Sequence, residues 1–198
     1  MTTAVVKLGV GNTASVMFAL QRLNAPAVLT DDPTRIAEAE RVIVPGVGAA
    51  AYAMRLLQEK GLREVLRRFA RPLLGICLGQ QLLYDWSEEG AAEGLHLMPG
   101  RVTALPASRQ TPAPHMGWAK LEIERPHALL EGVADGSYAY FVHSYVCPLG
   151  SETLAASHYG ERFSAMVAKA NIYGCQFHPE RSSAIGARIL SNFLNLPC

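Results

Sequence analysis

Cysteine is sparse in this chain and spaced for neither metal nor redox chemistry. The four cysteines are Cys77, Cys147, Cys175 and Cys198, and no two form a C-x-x-C pair. A zinc site or a redox dithiol is therefore not expected. Charge is also low, at 18% of residues with a formal net charge of +1. That removes binding to nucleic acid or a membrane surface through bulk electrostatics. It leaves a protein partner easy to tolerate. No apolar run is long enough to cross a bilayer, and residues 1–7 lack the charged and apolar regions of a signal peptide. A reducing cytoplasm with free thiols is the expectation. Repeats, low-complexity tracts and interdomain linkers are missing too, so residues 1–198 read as one domain.

What is present is an apolar share of 49%, enough to bury a core without disulfides or metals. The first half alternates short apolar runs with helical patterns. Ala4–Val10, Ala27–Leu29, Arg41–Val44 and Pro72–Ile76 read as strands. Thr13–Leu23, Ala49–Leu57 and Leu62–Ala70 read as helices, and Asp32-Pro33 as an N-cap followed by proline at the first helical position. Such alternation predicts an α/β fold, a largely parallel sheet with helices on both faces. The second half changes character. Val102–Leu105, Lys120–Ile123, Tyr138–Val142, Thr153–Ala156, Ala165–Ala168 and Ile172–Phe177 read as strands with few helices between them. The sheet is thus predicted to be mixed, with an antiparallel portion in the second half. A last helix is expected over Ser183–Leu194.

The sharpest local signal is Leu73-Leu74-Gly75-Ile76-Cys77-Leu78-Gly79-Gln80-Gln81. An apolar strand ends in Gly-x-Cys-x-Gly, and a helix is expected from Leu78 to about Trp86. This is the thiol form of a nucleophile elbow. The turn strains the backbone at the nucleophile, the glycines make room, and the helix start favours a thiolate. The Leu78 N–H is then free to face an oxyanion. An isolated cysteine is more often a buried structural one; here the strand-turn-helix context favours a nucleophile. The other three cysteines lack that context and read as structural or incidental.

A thiol nucleophile needs a base. His178 lies in Gln176-Phe177-His178-Pro179-Glu180, at the end of an apolar strand. In an extended chain residues i and i+2 face one side, so Glu180 is expected to orient the imidazole. His143 also ends a strand, but no carboxylate is near it in sequence. His96, His115, His127 and His158 fall near turns or loops and read as exposed or locally hydrogen-bonded. Val44-Pro45-Gly46-Val47-Gly48 follows a strand with glycines that let backbone approach a substrate, where Val47 can supply a second oxyanion N–H. Read alone, Pro-Gly marks an ordinary turn.

Together these segments resemble the class I, triad-type glutamine amidotransferases, over nearly the whole chain. The elbow and the His-Pro-Glu motif carry the broad match. Gly11-Asn12, His115-Met116-Gly117-Trp118 and Tyr140-Phe141-Val142-His143-Ser144-Tyr145 narrow it to the branch that serves a histidine-pathway cyclase. The resemblance implies a flavodoxin-like fold, a Cys77–His178–Glu180 triad and no cofactor or metal. It implies that Gly48, Gln81, Ser144 and Tyr145 hold L-glutamine. It implies that Asn12, Met116, Trp118, Tyr140 and Arg181 meet a separate (β/α)8-barrel cyclase in a heterodimer that receives the ammonia. Read without the resemblance, Met116 and Trp118 could pack a core and Tyr140 could be an ordinary strand aromatic. There are three departures from the family's usual residues: Lys7-Leu8 replaces Asp-Tyr, Gln80 replaces methionine, and Arg181 replaces lysine. A glutaminase for another synthase, of anthranilate or pyridoxal phosphate type, an idle regulatory subunit and a cysteine peptidase are the competing readings.

Overall fold

Each short apolar run of the first half becomes a strand, buried on both faces except at the sheet edge, where Ala27–Thr30 is half-exposed. The computed structural model describes residues 2–9 and 12–198. Val10, the expected end of the first strand, and Gly11 of the Gly11-Asn12 pair lie outside them, as does Met1. The first half runs β1 (Thr3–Val6), α1 (Thr13–Arg22), β2 (Ala27–Thr30), α2 (Pro33–Glu38), β3 (Arg41–Gly46), α3 (Ala50–Glu59), α4 (Leu62–Arg67) and β4 (Leu73–Cys77). Alternate residues serve two cores. Val5, Ile43 and Leu74 pack with Val16 and Leu20 of α1, while Ala4, Val6, Val42, Val44 and Leu73 pack with Ile36, Leu57, Leu62 and Leu66. A strand covered on both faces has no need of polar alternation, hence the continuous apolar runs. At α2 the Asp32 carboxylate accepts from the Thr34 N–H at 2.9 Å, with Pro33 in the first turn. Such a cap contributes about 1 kcal/mol.

The second half runs α5 (Leu78–Gln81), β5 (Tyr84–Ser87), β6 (Ala92–Glu93), β7 (Met98–Ala104), β8 (His115–Lys120), β9 (Glu122–Ile123), β10 (Tyr138–His143) and β11 (Tyr145–Val146). It ends with β12 (Thr153–Tyr159), β13 (Glu161–Lys169), β14 (Ile172–Cys175) and α6 (Ser183–Asn195). The main sheet has eight strands in the order β2-β1-β3-β4-β14-β13-β12-β9. The first five are parallel, and β13, β12 and β9 add antiparallel pairs. The expected mixed sheet is therefore present. Two smaller sheets, β10-β8 and β11-β7-β5-β6, complete the fold. Among the described residues no helix is long and apolar enough to cross a membrane.

Three local expectations change. The helix expected to run to Trp86 stops after one turn, at Gln81. Tertiary pairing wins there: Leu83 O accepts from Leu97 N and Met98 N, and Tyr84–Ser87 pairs with both β6 and β7. The strand expected over Lys120–Ile123 is two strands in different sheets. The chain crosses between them at Leu121, which is fully buried and bonded through its backbone to Gly136 and Ser137. His115 is not in a turn but opens β8, paired with His143 of β10.

The elbow glycines meet a tighter constraint than the turn alone imposes. A Cβ on Gly79 would lie 1.8 Å from the Val44 carbonyl oxygen, and one on Gly75 would lie 2.4 Å from the Gly79 carbonyl oxygen. The turn after β4 is pressed onto the backbone of β3, with no flexible side chain to give way. Gly79→Ala is expected to destabilise the fold by about 3 kcal/mol or more. Urea unfolding of the variant checks this; a midpoint unchanged from wild type would show that the elbow can lift off β3.

Candidate active site

The elbow places Cys77 at φ 55°, ψ −112°, in a region an L-residue occupies only when its surroundings compel it. Its thiol points into a cleft of about 220 Å³. Val47, Gly48, Leu78, Gln81, Ser144, Tyr145 and His178 line the same cleft, so the structure brings together the expected oxyanion and glutamine-binding residues. Glu180 stands behind His178. Its Oε1 lies 2.8 Å from His178 Nδ1, and both side chains are nearly fully buried. Glu180 reaches the ring by a route other than strand alternation. The chain turns at His178 into a short 3-10 helix, Pro179–Arg181, which folds the carboxylate back onto the imidazole.

The charge state follows from that packing. Burial alone would lower the His178 pKa. Hydrogen bonds to Cys77 and Glu180 outweigh it and push the pKa up to about 10. The helix after the elbow, α5, is only four residues long, so its macrodipole, a sum over aligned peptides, is small. The other buried thiols are poor nucleophiles: burial pushes Cys147 up to about 12 and Cys175 well above its ordinary value. Cys198 is exposed, with its thiol 3.5 Å from the Glu40 carbonyl.

Gln81 has less freedom than a simple substrate ligand. Its amide nitrogen donates to Tyr145 O at 2.9 Å and to Gln176 Oε1 at 3.0 Å. Gln176 in turn places Nε2 3.8 Å from the Cys77 sulfur. Gln80, where the family usually has methionine, is fully buried and donates to Ser164 O at 3.0 Å. Leu8, another departure, is buried, and Lys7 is exposed.

The residues expected at a partner interface divide. Met116 is 65% exposed and Trp118 52%, so neither packs a core. Tyr140, opposite Trp118, meets its ring edge-on at 5.8 Å, and the Arg181 guanidinium lies 5.2 Å from the Tyr140 ring centre. These four form one outward patch, to which the exposed Tyr138 adds. Asn12 has a local task as the N-cap of α1, accepting from Ser15 N at 3.3 Å.

Two residues were not singled out from sequence. Glu89 lines the cleft, half-buried, with Oε2 accepting from the first amide of α3, Ala50 N, at 2.8 Å. Burial raises its pKa and the Ala50 bond lowers it, with a net rise. No motif marks it, because the turn after β5 brings it to the cleft. Ser182 is fully buried; its hydroxyl donates to His178 O at 2.7 Å and accepts from Tyr140 N at 2.9 Å. It fastens His178 to β10. A larger groove of about 670 Å³ beside Arg125 and His127 contains no thiol. Among the described residues no group of three or more His, Cys, Asp or Glu could hold a metal.

A thiol on an α/β elbow, an imidazole against it and a carboxylate behind the imidazole make up the arrangement that cysteine-dependent acyl transfer requires. Residues 6–196 match the family "Glutamine amidotransferase class-I". The chain is 47% identical to the imidazole glycerol phosphate synthase subunit HisH of Xanthomonas axonopodis pv. citri, covering 98% of this chain and 96% of that one. It is 44% identical to the subunit HisH of Colwellia psychrerythraea, covering 99% and 95%. A solved glutamine amidotransferase superposes with a TM-score of 0.74 at 22% identity, covering 96% of each chain, which shows the shared fold. The chain belongs to the class I glutamine amidotransferases and, within them, to the family of HisH subunits.

The raised His178 pKa has a measurable consequence. A protonated ring that is favoured in the folded state stabilises the fold fully below about pH 6.5, the ordinary histidine value. That contribution is lost as pH rises through about 10. Glu180→Gln removes a charge that favours the protonated ring, so the His178 pKa is expected to fall. An NMR titration of the imidazole reads the shift directly. An unchanged midpoint in the variant would remove Glu180 as a cause.

Proposed function

We propose that this chain is the glutaminase subunit of an imidazole glycerol phosphate synthase. It hydrolyses L-glutamine to glutamate and passes the ammonia to a (β/α)8-barrel cyclase, which forms imidazole glycerol phosphate and aminoimidazole carboxamide ribotide. The observation that carries this reading is the cleft that holds Cys77 and His178, with Glu180 bonded to the ring from behind. At about 220 Å³ it suits a free amino acid better than a drug-sized ligand.

The chemistry is acyl transfer in two halves. The Cys77 thiolate attacks the side-chain carbonyl carbon, and the carbonyl oxygen gains charge. N–H groups of Leu78 and Val47 take up that charge. His178 gives its proton to the departing nitrogen, ammonia leaves, and a thioester remains. Water then gives a proton to His178, attacks the thioester and releases glutamate from Cys77. Glu180 holds the ring in place throughout. Gly48, Gln81, Ser144 and Tyr145 hold the substrate, and the free oxygen of Glu89 receives its α-ammonium group. No metal or cofactor has a part in these steps. Ammonia released into water at neutral pH is mostly protonated and no longer nucleophilic, so a docked acceptor protects it. The patch of Met116, Trp118, Tyr140 and Arg181 suits that docking. Its exposed aromatics and its arginine are the residue types enriched at interfaces.

In the complex with the cyclase, Cys77→Ala is expected to lower glutamine-dependent synthesis by about a thousandfold or more, while added ammonia still supports it. Glutamine turnover by the variant at the wild-type rate would move the nucleophile elsewhere.

The docking reading generates a second expectation. Glycines on both sides of Val47, with Gly48 at φ 103°, leave the Gly46–Val47 peptide, which carries the Val47 N–H, able to rotate. An oxyanion donor turned away in the free chain would cost roughly a hundred- to thousandfold in rate. Glutamate release is therefore expected to be slow for the chain alone and to rise by about that factor with cyclase and a nucleotide substrate analogue. Trp118→Glu should abolish the rise, because it places a charge in the apolar contact. Full activity in the isolated chain, unchanged by either addition, would contradict both the docking and the switch.

A further inference from the structure

A pair of buried histidines that the triad does not use stands at the cleft: His143 lines it, and His115 lies behind His143. His115 and His143 face each other across the β8–β10 pair, with His115 Nδ1 3.1 Å from His143 Nε2. His143 Nδ1 lies 2.9 Å from the Tyr145 carbonyl oxygen. A carbonyl can only accept, so the proton there belongs to His143 Nδ1. Burial pushes the pKa of His115 down to about 4 and that of His143 down to about 3. The Tyr145 carbonyl alone works the other way, by accepting from the His143 ring; the other groups facing the pair act with burial. His115 stacks between the Tyr159 ring at 4.0 Å and the Phe141 ring at 5.2 Å, Phe163 covers His143 at 5.0 Å, and the nearby His178 opposes further positive charge. Both rings are therefore neutral with one N–H each, and His143 Nε2 must accept. The proton between the rings belongs to His115.

This gives the chain of bonds a direction. His115 donates to His143, and His143 donates to Tyr145 O. The same carbonyl accepts from Gln81, which reaches Gln176, whose amide points at the Cys77 sulfur. If His143 carried its proton on Nε2 instead, an unshared pair on Nδ1 would face the Tyr145 carbonyl across 2.9 Å. Two acceptors at that distance repel, and the wall at Ser144–Tyr145 would have to move.

We propose that His115 sets the tautomer of His143, and that the pair positions the Ser144–Tyr145 wall against glutamine held beside Cys77. Both are positioning residues, acting through Tyr145. The proposal rests on the glutaminase reading. It also places the first donor one residue from exposed Met116 on the same strand, so a partner gripping β8 would hold the source of the chain.

Two substitutions separate hydrogen bonding from packing. His115→Phe keeps a ring in the aromatic stack and removes the donor. His115→Asn gives up the ring and keeps a donor near the Nδ1 position. The nitrogen-15 shifts of His143 in the labelled full chain report its tautomer. Glutamate release by the complex with cyclase reports KM and kcat. Wild type is expected to show His143 protonated at Nδ1. His115→Phe should mix or switch the tautomer and raise KM for glutamine about tenfold, with kcat changed by less than about threefold. His115→Asn should return KM to within about threefold of wild type. An Nε2-protonated His143 in wild type, an unchanged KM in His115→Phe, or Phe outperforming Asn would overturn the proposal. If the wild-type complex released no glutamate, the glutaminase reading would fall. The shifts would then still decide whether His115 sets His143.

Discussion

Everything in the site depends on one unfavourable backbone conformation. Cys77 is held at φ 55°, which costs on the order of 1–3 kcal/mol for a residue with a side chain. It is held there because β4 is locked between β3 and β14, both parallel to it, with Ile76 in register with Pro45 on one side and Cys175 on the other. The turn that follows cannot swing out, since Gly79 lies against the Val44 carbonyl. Parallel strands also end on the same edge of a sheet. The segments after β3, β4 and β14 therefore converge, bringing Val47 and Gly48, Cys77, and His178 to one cleft although they are far apart in sequence. Sites at the carboxyl ends of parallel strands follow from this geometry.

Where the chemistry is local in sequence, it was legible. The elbow announces itself through two glycines around Cys77, and both prove to face backbone atoms that admit no Cβ. His178 and Glu180 stand two residues apart, and proximity in sequence guarantees a short path for the carboxylate, although a 3-10 turn and not an extended strand supplies it. The parallel half of the sheet was readable because unbroken apolar runs need cover on both faces.

Legibility ended where tertiary contacts overruled local pattern. Leu82-Leu83-Tyr84 continues an apolar helical pattern, yet β7 captures it as the lead into a strand. His115 sits beside a proline-bearing loop, and only its pairing across to β10 reveals a buried ring. Glu89 follows another acid in a polar turn, where nothing in sequence separates a solvated carboxylate from one at the mouth of a cleft. Each of these depends on a partner many positions away, which a single sequence does not display.

The β8–β10 pair carries two tasks on opposite faces, and strand geometry keeps them one residue apart. Burial alternates along both strands: His115, Phe141 and His143 point inward, while Met116, Trp118, Tyr138 and Tyr140 point outward. The outward residues form the apolar patch, while inward His143 lines the cleft with the His115 and Phe141 rings packed against it. A side chain on one face cannot shift along or across its strand without moving the peptide that carries its neighbour on the other. The backbone bonds reach further. Tyr140 O accepts from His178 N at 2.9 Å, and Tyr140 N donates to Ser182, whose hydroxyl donates to His178 O. The Val142 carbonyl lies 3.5 Å from the Cys77 sulfur. A two-stranded sheet thus touches His178, Cys77 and the cleft from inside while presenting aromatic side chains outside. Between the two faces lies a single layer of backbone, so a contact on the outer face has a short path to Cys77 and His178.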